Sequence, residues 1–150
     1  MTATTTARDA NRSEGRLVAN EIAASTTLYK GTLLCENTAG YIVNGVDTAS
    51  YKFAGVSTES QNNSAGDAGD LKVVIDTDGV FIFKFNGTPA ITDMWDTAYI
   101  LDNQTVGNTS TNGIKCGRIV GVPTSSTSMD SPTNLASDEV RVKIDVLRGS

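Results

Sequence analysis

The sequence predicts an all-β fold, a small barrel or sandwich with an extended N-terminal arm and long polar loops. Three observations lead there. Apolar residues come in short runs that alternate with polar ones, at the period of two that sends successive side chains to opposite faces of a strand. These runs are separated by clusters of Gly, Asn, Asp, Ser and Thr, at the roughly ten-residue spacing of small β domains. No heptad, internal repeat or long amphipathic helical stretch competes with that pattern.

A chain of 150 residues is long enough for one domain that buries about 70% of its unfolded surface. We read residues 1–15 as an arm and residues 16–150 as a single β domain. Met1 to Ser13 is polar and threonine-rich, without hydrophobic periodicity, so it does not belong to a core. Arg8, Arg12 and Arg16 are spaced by four and would line one face if the arm became helical on a partner. Arg16 to Ala24 is expected as an extended segment leading into the domain.

Leu28 to Glu36 is a strand region interrupted at Lys30-Gly31. Asn37 to Gly40 turns, Gly40 to Val43 returns as a short strand, and Asn44-Gly45 turns again. Tyr51 to Val56 follows as a strand with Phe53 inward, and Gly55 allows a bulge or a close approach. Ser57 to Gly69 reads as a long polar loop, of a length that is uncommon unless functional.

Leu71 to Thr88 is the centre of the expected core. Leu71, Val73 and Ile75 share one face of a first run, and Phe81, Phe83 and Phe85 share one face of a second. Asp-Gly between the runs and Asn86-Gly87 after them predict a β-hairpin with Asp76 to Gly79 at its tip. Beyond it, Thr92 or Asp93 can cap a single helical turn before the sole tryptophan, Trp95. Ala98 to Leu101, Thr105-Val106 and Ile114 to Val122 are strands, the last with glycines that permit bending. Pro123 to Ala136 is a second polar loop. In the final strand, Glu139 to Leu147, Val140, Val142, Ile144 and Val146 face in while Arg141, Lys143 and Asp145 face out.

Histidine is absent, which removes the commonest general base and metal ligand and every Ser-His or Cys-His pair. Cys35 and Cys116 lack the spacing of a zinc site and are read as buried free thiols, although one bridge between them is geometrically open. Asp76 and Asp78 match only the opening of a calcium loop, with no third ligand and no closing glutamate. No glycine-rich phosphate cradle is present. We therefore expect no enzyme activity, no cofactor and no metal. A net charge of −5 without a basic stripe argues against a nucleic-acid partner. No stretch approaches the ~20 apolar residues of a membrane span, and Met1 to Gly15 lacks the apolar segment of a secretory signal. Trp95 with Tyr99, or Tyr29 with Tyr41 and Tyr51, are candidates for a sugar-stacking platform, with core packing as the alternative.

From about Lys30 to Val146 the order of motifs resembles the capsid cement, or head decoration, proteins of tailed phages. The resemblance rests on Lys30-Gly31 opening a strand, on Gly40-Tyr41, and on Phe53-Ala54-Gly55-Val56 followed by Asn62-Asn63-Ser64-Ala65-Gly66. It continues through Gly79-Val80-Phe81, Tyr99-Ile100-Leu101-Asp102 and Thr105-Val106, and ends with Gly113 to Val122 before a last strand. It implies a β-tulip barrel that forms oligomers, usually homotrimers, on the outside of an expanded head. The partners would then be the major capsid protein and further copies of the chain. The protein would be made in the host cytoplasm and end on the virion surface, bridging capsomers against internal DNA pressure. Residues 1–15 would be the capsid-binding arm, with Thr4, Thr5, Thr6, Arg8, Arg12 and Arg16 at the interface. Phe53, Val73, Ile75, Phe81, Phe83, Phe85, Val140, Val142 and Ile144 would form the core. The alternative is a virion- or tail-associated module that recognises host-surface glycans.

Overall fold

The computed structural model describes residues 15–123 and 135–146. Within them the chain is nearly all β, with one short 3-10 turn at Ile91–Asp93. Twelve strands follow in order: β1 (Leu17–Glu21), β2 (Thr26–Leu28), β3 (Leu33–Glu36), β4 (Ile42–Asn44), β5 (Lys52–Ser57) and β6 (Gln61–Asn63), then β7 (Lys72–Asp76), β8 (Asp78–Phe85), β9 (Thr97–Ile100), β10 (Thr105–Gly107), β11 (Lys115–Gly121) and β12 (Glu139–Asp145).

The strands make two main bodies. Strands β10, β8, β12, β11 and β9, in that order, close a five-stranded barrel. Strands β1, β7, β5, β3 and β4 form a five-stranded sheet, and β2 pairs with β6 beside it. The sheet curls on itself, because a parallel bridge joins Ile22, just past β1, to Ile42 on β4. The Ala23 N–H donates to the Ile42 carbonyl at 3.0 Å.

Two apolar clusters fill these bodies. The larger combines Phe83 and Phe85 of β8, Val140, Val142 and Ile144 of β12, and Ile100, Val106 and Ile119 of the barrel with Leu33, Cys35, Phe53 and Val56 of the sheet. The smaller holds Ile22, Leu28, Leu34, Ile42, Val73 and Ile75 inside the curled sheet. Strand β3 serves both. Leu33 and Cys35 face the barrel, Leu34 faces the other way, and all three are fully buried. An unbroken apolar run is what a strand covered on both faces needs. Burying each such side chain contributes about 1.5–3 kcal/mol.

The expected hairpin over Leu71 to Thr88 does not form. Strand β7 pairs antiparallel with β1 and β5, whereas β8 pairs with β12 and β10. Thr77 alone joins them, so the chain steps from the sheet into the barrel across one residue. Asp78 and Gly79 lie inside β8, opposite Asp145 and Ile144. Alternation holds in both strands, but two-residue periodicity cannot separate a hairpin arm from a strand that crosses between sheets. The residues expected in the core are accordingly split, Val73 and Ile75 to the smaller cluster and the others to the larger. Phe81 is only half-buried, packed at the edge of the larger cluster with its ring 6.3 Å from that of Phe83. Leu71, just before β7, is exposed.

The stretch Ser57 to Gly69 is also more ordered than a loop. Its Gln61–Asn63 strand pairs with β2, and buried Asn63 donates from Nδ2 to the carbonyls of Ala23 and Asp67. Asp93 closes the 3-10 turn, its carboxylate accepting from the Ala90 N–H at 2.7 Å. Cys35 and Cys116 are buried free thiols. Burial raises both pKa values, that of Cys116 to about 12. Among the described residues no helix is long and apolar enough to cross a membrane.

Candidate functional site

Two recesses flank the outward side chains at the end of β12. The first is a cleft of about 780 Å3 where the sheet meets the barrel. Gly15, Arg16 and Val18 line it from the start of the described chain, Thr77 and Asp78 from the crossover, and Lys143, Asp145 and Val146 from the last strand. Both ends of the described chain therefore reach the same cleft.

The crossover is tied down by the residues before β1. The Thr77 N–H donates to the Arg16 carbonyl at 2.8 Å, and the Thr77 hydroxyl donates to the carbonyls of Gly15 and Arg16. The Arg16 guanidinium reaches the Asp76 carboxylate through Nε and Nη2. Asp76 also accepts from the Asp78 N–H at 3.2 Å. The guanidinium hydrogen bonds hold the Asp76 carboxyl below its usual pKa range, against the opposing effect of burial. Asp78 forms its own ion pair with Lys143 on β12, which lowers its pKa. The Asp-Thr-Asp sequence is thus a junction element. Each carboxylate is matched to a cation, and among the described residues no group of three or more potential ligands is placed to hold a metal ion.

The second recess is a pocket of about 380 Å3 on the barrel wall. Trp95 forms one side, and Thr97, Lys115, Gly117, Arg118 and Lys143 are among the residues around it. Trp95 has a φ of +74°, a left-handed conformation that costs of order 1–3 kcal/mol for a residue other than glycine. Its backbone is held from both sides. The Trp95 N–H donates to the Ile119 carbonyl at 2.8 Å, and Arg118 Nη1 donates to the Trp95 carbonyl at 2.8 Å. The Ile119 N–H in turn donates to the Asp96 carbonyl. The indole so presented is 64% exposed.

A β-bulge produces the cationic side of this pocket. The register of β11 against β9 shifts between Lys115 and Gly117, so Cys116 stays buried while Lys115 and Arg118 are both exposed. Strict alternation would send residues 115 and 118 to opposite faces, which is why sequence reading does not unite them. Lys143 stands opposite Arg118 across the β11–β12 pair. On its other side Lys143 faces Val80, which with Ile82 leaves an exposed apolar strip on β8.

Of the residues expected at an interface, Arg16 is placed at the junction cleft and already engages Asp76. Thr4, Thr5, Thr6, Arg8 and Arg12 lie outside the described residues, as does most of the Pro123 to Ala136 loop. Trp95 is an exposed aromatic, as a stacking role requires, but Tyr99 does not line its pocket. Tyr29 is exposed, whereas Tyr41 is half-buried and Tyr51 packs against the larger core cluster. Compared with known protein families, curated proteins and solved structures, the chain finds no match.

Proposed function

We propose that the protein is a capsid decoration protein that seats on the outside of an expanded phage head and bridges neighbouring capsomers. The observation that carries this reading is the root of the N-terminal segment. Strand β1 is an exposed edge strand, with Leu17 54% and Val18 37% exposed, yet it is locked to the rigid body by its pairing with β7 and by the Arg16–Asp76 ion pair. A segment that wraps a neighbouring capsomer needs such an anchor, since load on it must pass into the body without peeling the first strand away. The exposed apolar strip of Val80 and Ile82 offers a second contact area on the barrel.

In this reading each single contact is weak. A homotrimer multiplies them through effective concentration, by roughly 10²–10⁴ over one site. The partners are the major capsid protein and other copies of the chain, and residues 1–15 order on the shell. Histidine-free composition and paired carboxylates favour this role over catalysis. The test is co-sedimentation with expanded heads of the cognate phage. The full chain should decorate them and raise their resistance to heat and low salt. A chain lacking residues 1–14 should fold and yet lose most occupancy. Undiminished occupancy by the truncated chain would refute the arm's role, and no binding by the full chain would refute the reading.

A further inference from the structure

We propose that the barrel-wall pocket at Trp95 is a binding site for an acidic saccharide, a uronic-acid-type unit whose ring stacks on the indole while its carboxylate meets Arg118 and Lys115. The proposal does not depend on the capsid reading. It rests on three features of the pocket.

The indole is displayed at a cost. A large apolar side chain stands 64% exposed, on a backbone in the left-handed region, and three hydrogen bonds among Trp95, Asp96, Arg118 and Ile119 keep it there. Backbone strain that the surroundings hold in place clusters at active sites, ligand clamps and switch regions. A flat exposed indole suits the apolar face of a pyranose.

The charge around it is local and of one main sign. Lys115 and Arg118 line the pocket of a chain whose net charge is −5, beside Lys143, which is paired to Asp78. The bulge at Cys116-Gly117 is what puts Lys115 and Arg118 on the same side. Gly117 lets β11 lie close against β12 at the bulge, because a Cβ there would collide with the Lys143 carbonyl. The Asp145 carboxylate and the Thr97 hydroxyl at the rim can accept hydrogen bonds from sugar hydroxyls.

The strands that form the wall are paired on both sides. Strand β11 lies between β9 and β12, and β12 lies between β11 and β8, all within a closed barrel. An extended acidic peptide therefore cannot add to this wall as a further strand. A saccharide needs no backbone partner, and the pocket's volume is at the lower end of that typical for small-molecule sites.

Trp95 is the only tryptophan, so emission excited selectively from tryptophan in the full-length protein reports this pocket. Titration with trigalacturonic acid should give a saturable change in emission, and maltotriose at equal concentration should give little. Lys115→Gln, a substitution on an exposed side chain, should weaken binding about tenfold, the loss of one charge-assisted hydrogen bond. Trp95→Phe, followed by calorimetry, should weaken it at least as much, with an unchanged melting curve confirming the fold. Emission indifferent to the acidic trisaccharide would overturn the proposal. So would an equal response to sulfate, which would reveal an anion site only, tighter binding of tri-aspartate, or an unchanged affinity in Lys115→Gln.

Discussion

Arg16 and Asp76, sixty residues apart in sequence, meet through two hydrogen bonds of 3.1 and 2.9 Å at the point where the chain leaves the sheet for the barrel. The Asp76 side chain is nearly covered, at 9% exposure, while that of Arg16 is 65% exposed. Water therefore screens the pair, and its contribution is modest.

Arg16→Gln should lower stability by about 1 kcal/mol at pH 7, read from urea unfolding. The pH dependence follows from the sign of the shift. The folded-state pKa of Asp76 lies below its ordinary value of 3.8, so the pair's contribution is complete above 3.8 and is lost as pH falls through the lower folded value. The gap between wild type and variant should accordingly narrow as the pH is taken below 3.8. A gap that stays constant into acid would show that Asp76 is not the partner that matters.

Gly117→Ala should be severe and Gly31→Ala mild. A Cβ at Gly117 collides with the backbone of β12, which cannot yield without breaking barrel pairing, so a loss of at least about 2 kcal/mol is expected. Gly31 has φ +82° but open space around it, and only the left-handed conformation is penalised, at about 1 kcal/mol. Thermal melts of the two variants side by side give the comparison.

Two faces of the barrel should respond differently to truncation. Ile144→Ala leaves a cavity in the larger cluster and should cost about 2–5 kcal/mol. Ile82→Ser, on the exposed strip, should change stability by no more than about 0.5 kcal/mol. If Ile82 belongs to a contact surface, its loss should appear in head binding or in self-association measured by ultracentrifugation.

The thiols should be silent until the fold opens. Cys116 is fully buried, with its pKa pushed up to about 12, so almost no thiolate exists at pH 8 and reagent cannot reach it. Ellman's reagent should find no reactive thiol in native protein and two in denaturant, matching the two cysteines of the chain. Fast native labelling of Cys116 would contradict the barrel packing.

Strand positions were legible because alternation is a local property. In the last strand, inward Val140, Val142 and Ile144 and outward Lys143 were separable by inspection. Pairing was not legible in the same way. The Asp78-Gly79 dipeptide carries the same letters in a hairpin turn as at the start of β8, and only the distant partners β12 and β1 decide between them. The Trp95 pocket was half legible. A lone tryptophan stands out in any sequence, but Lys115 and Arg118 reach one side through a bulge, and bulges break the parity on which such reading depends.

Strand order also sets a timetable for synthesis. The curled sheet is complete once Asp76 has been made, and Leu34, Ile42, Val73 and Ile75 can then pack within it. The barrel has no such early stage. Its last strand, β12, must slot between β8 and β11, so closure waits until Asp145 has cleared the ribosome. Until that moment β8 and β11 are nascent strands with open edges, and the chain's exposure to aggregation falls in this interval. A ribosome stalled after the sheet has emerged but before residue 139 has been made would hold a folded sheet tethered to an unclosed barrel.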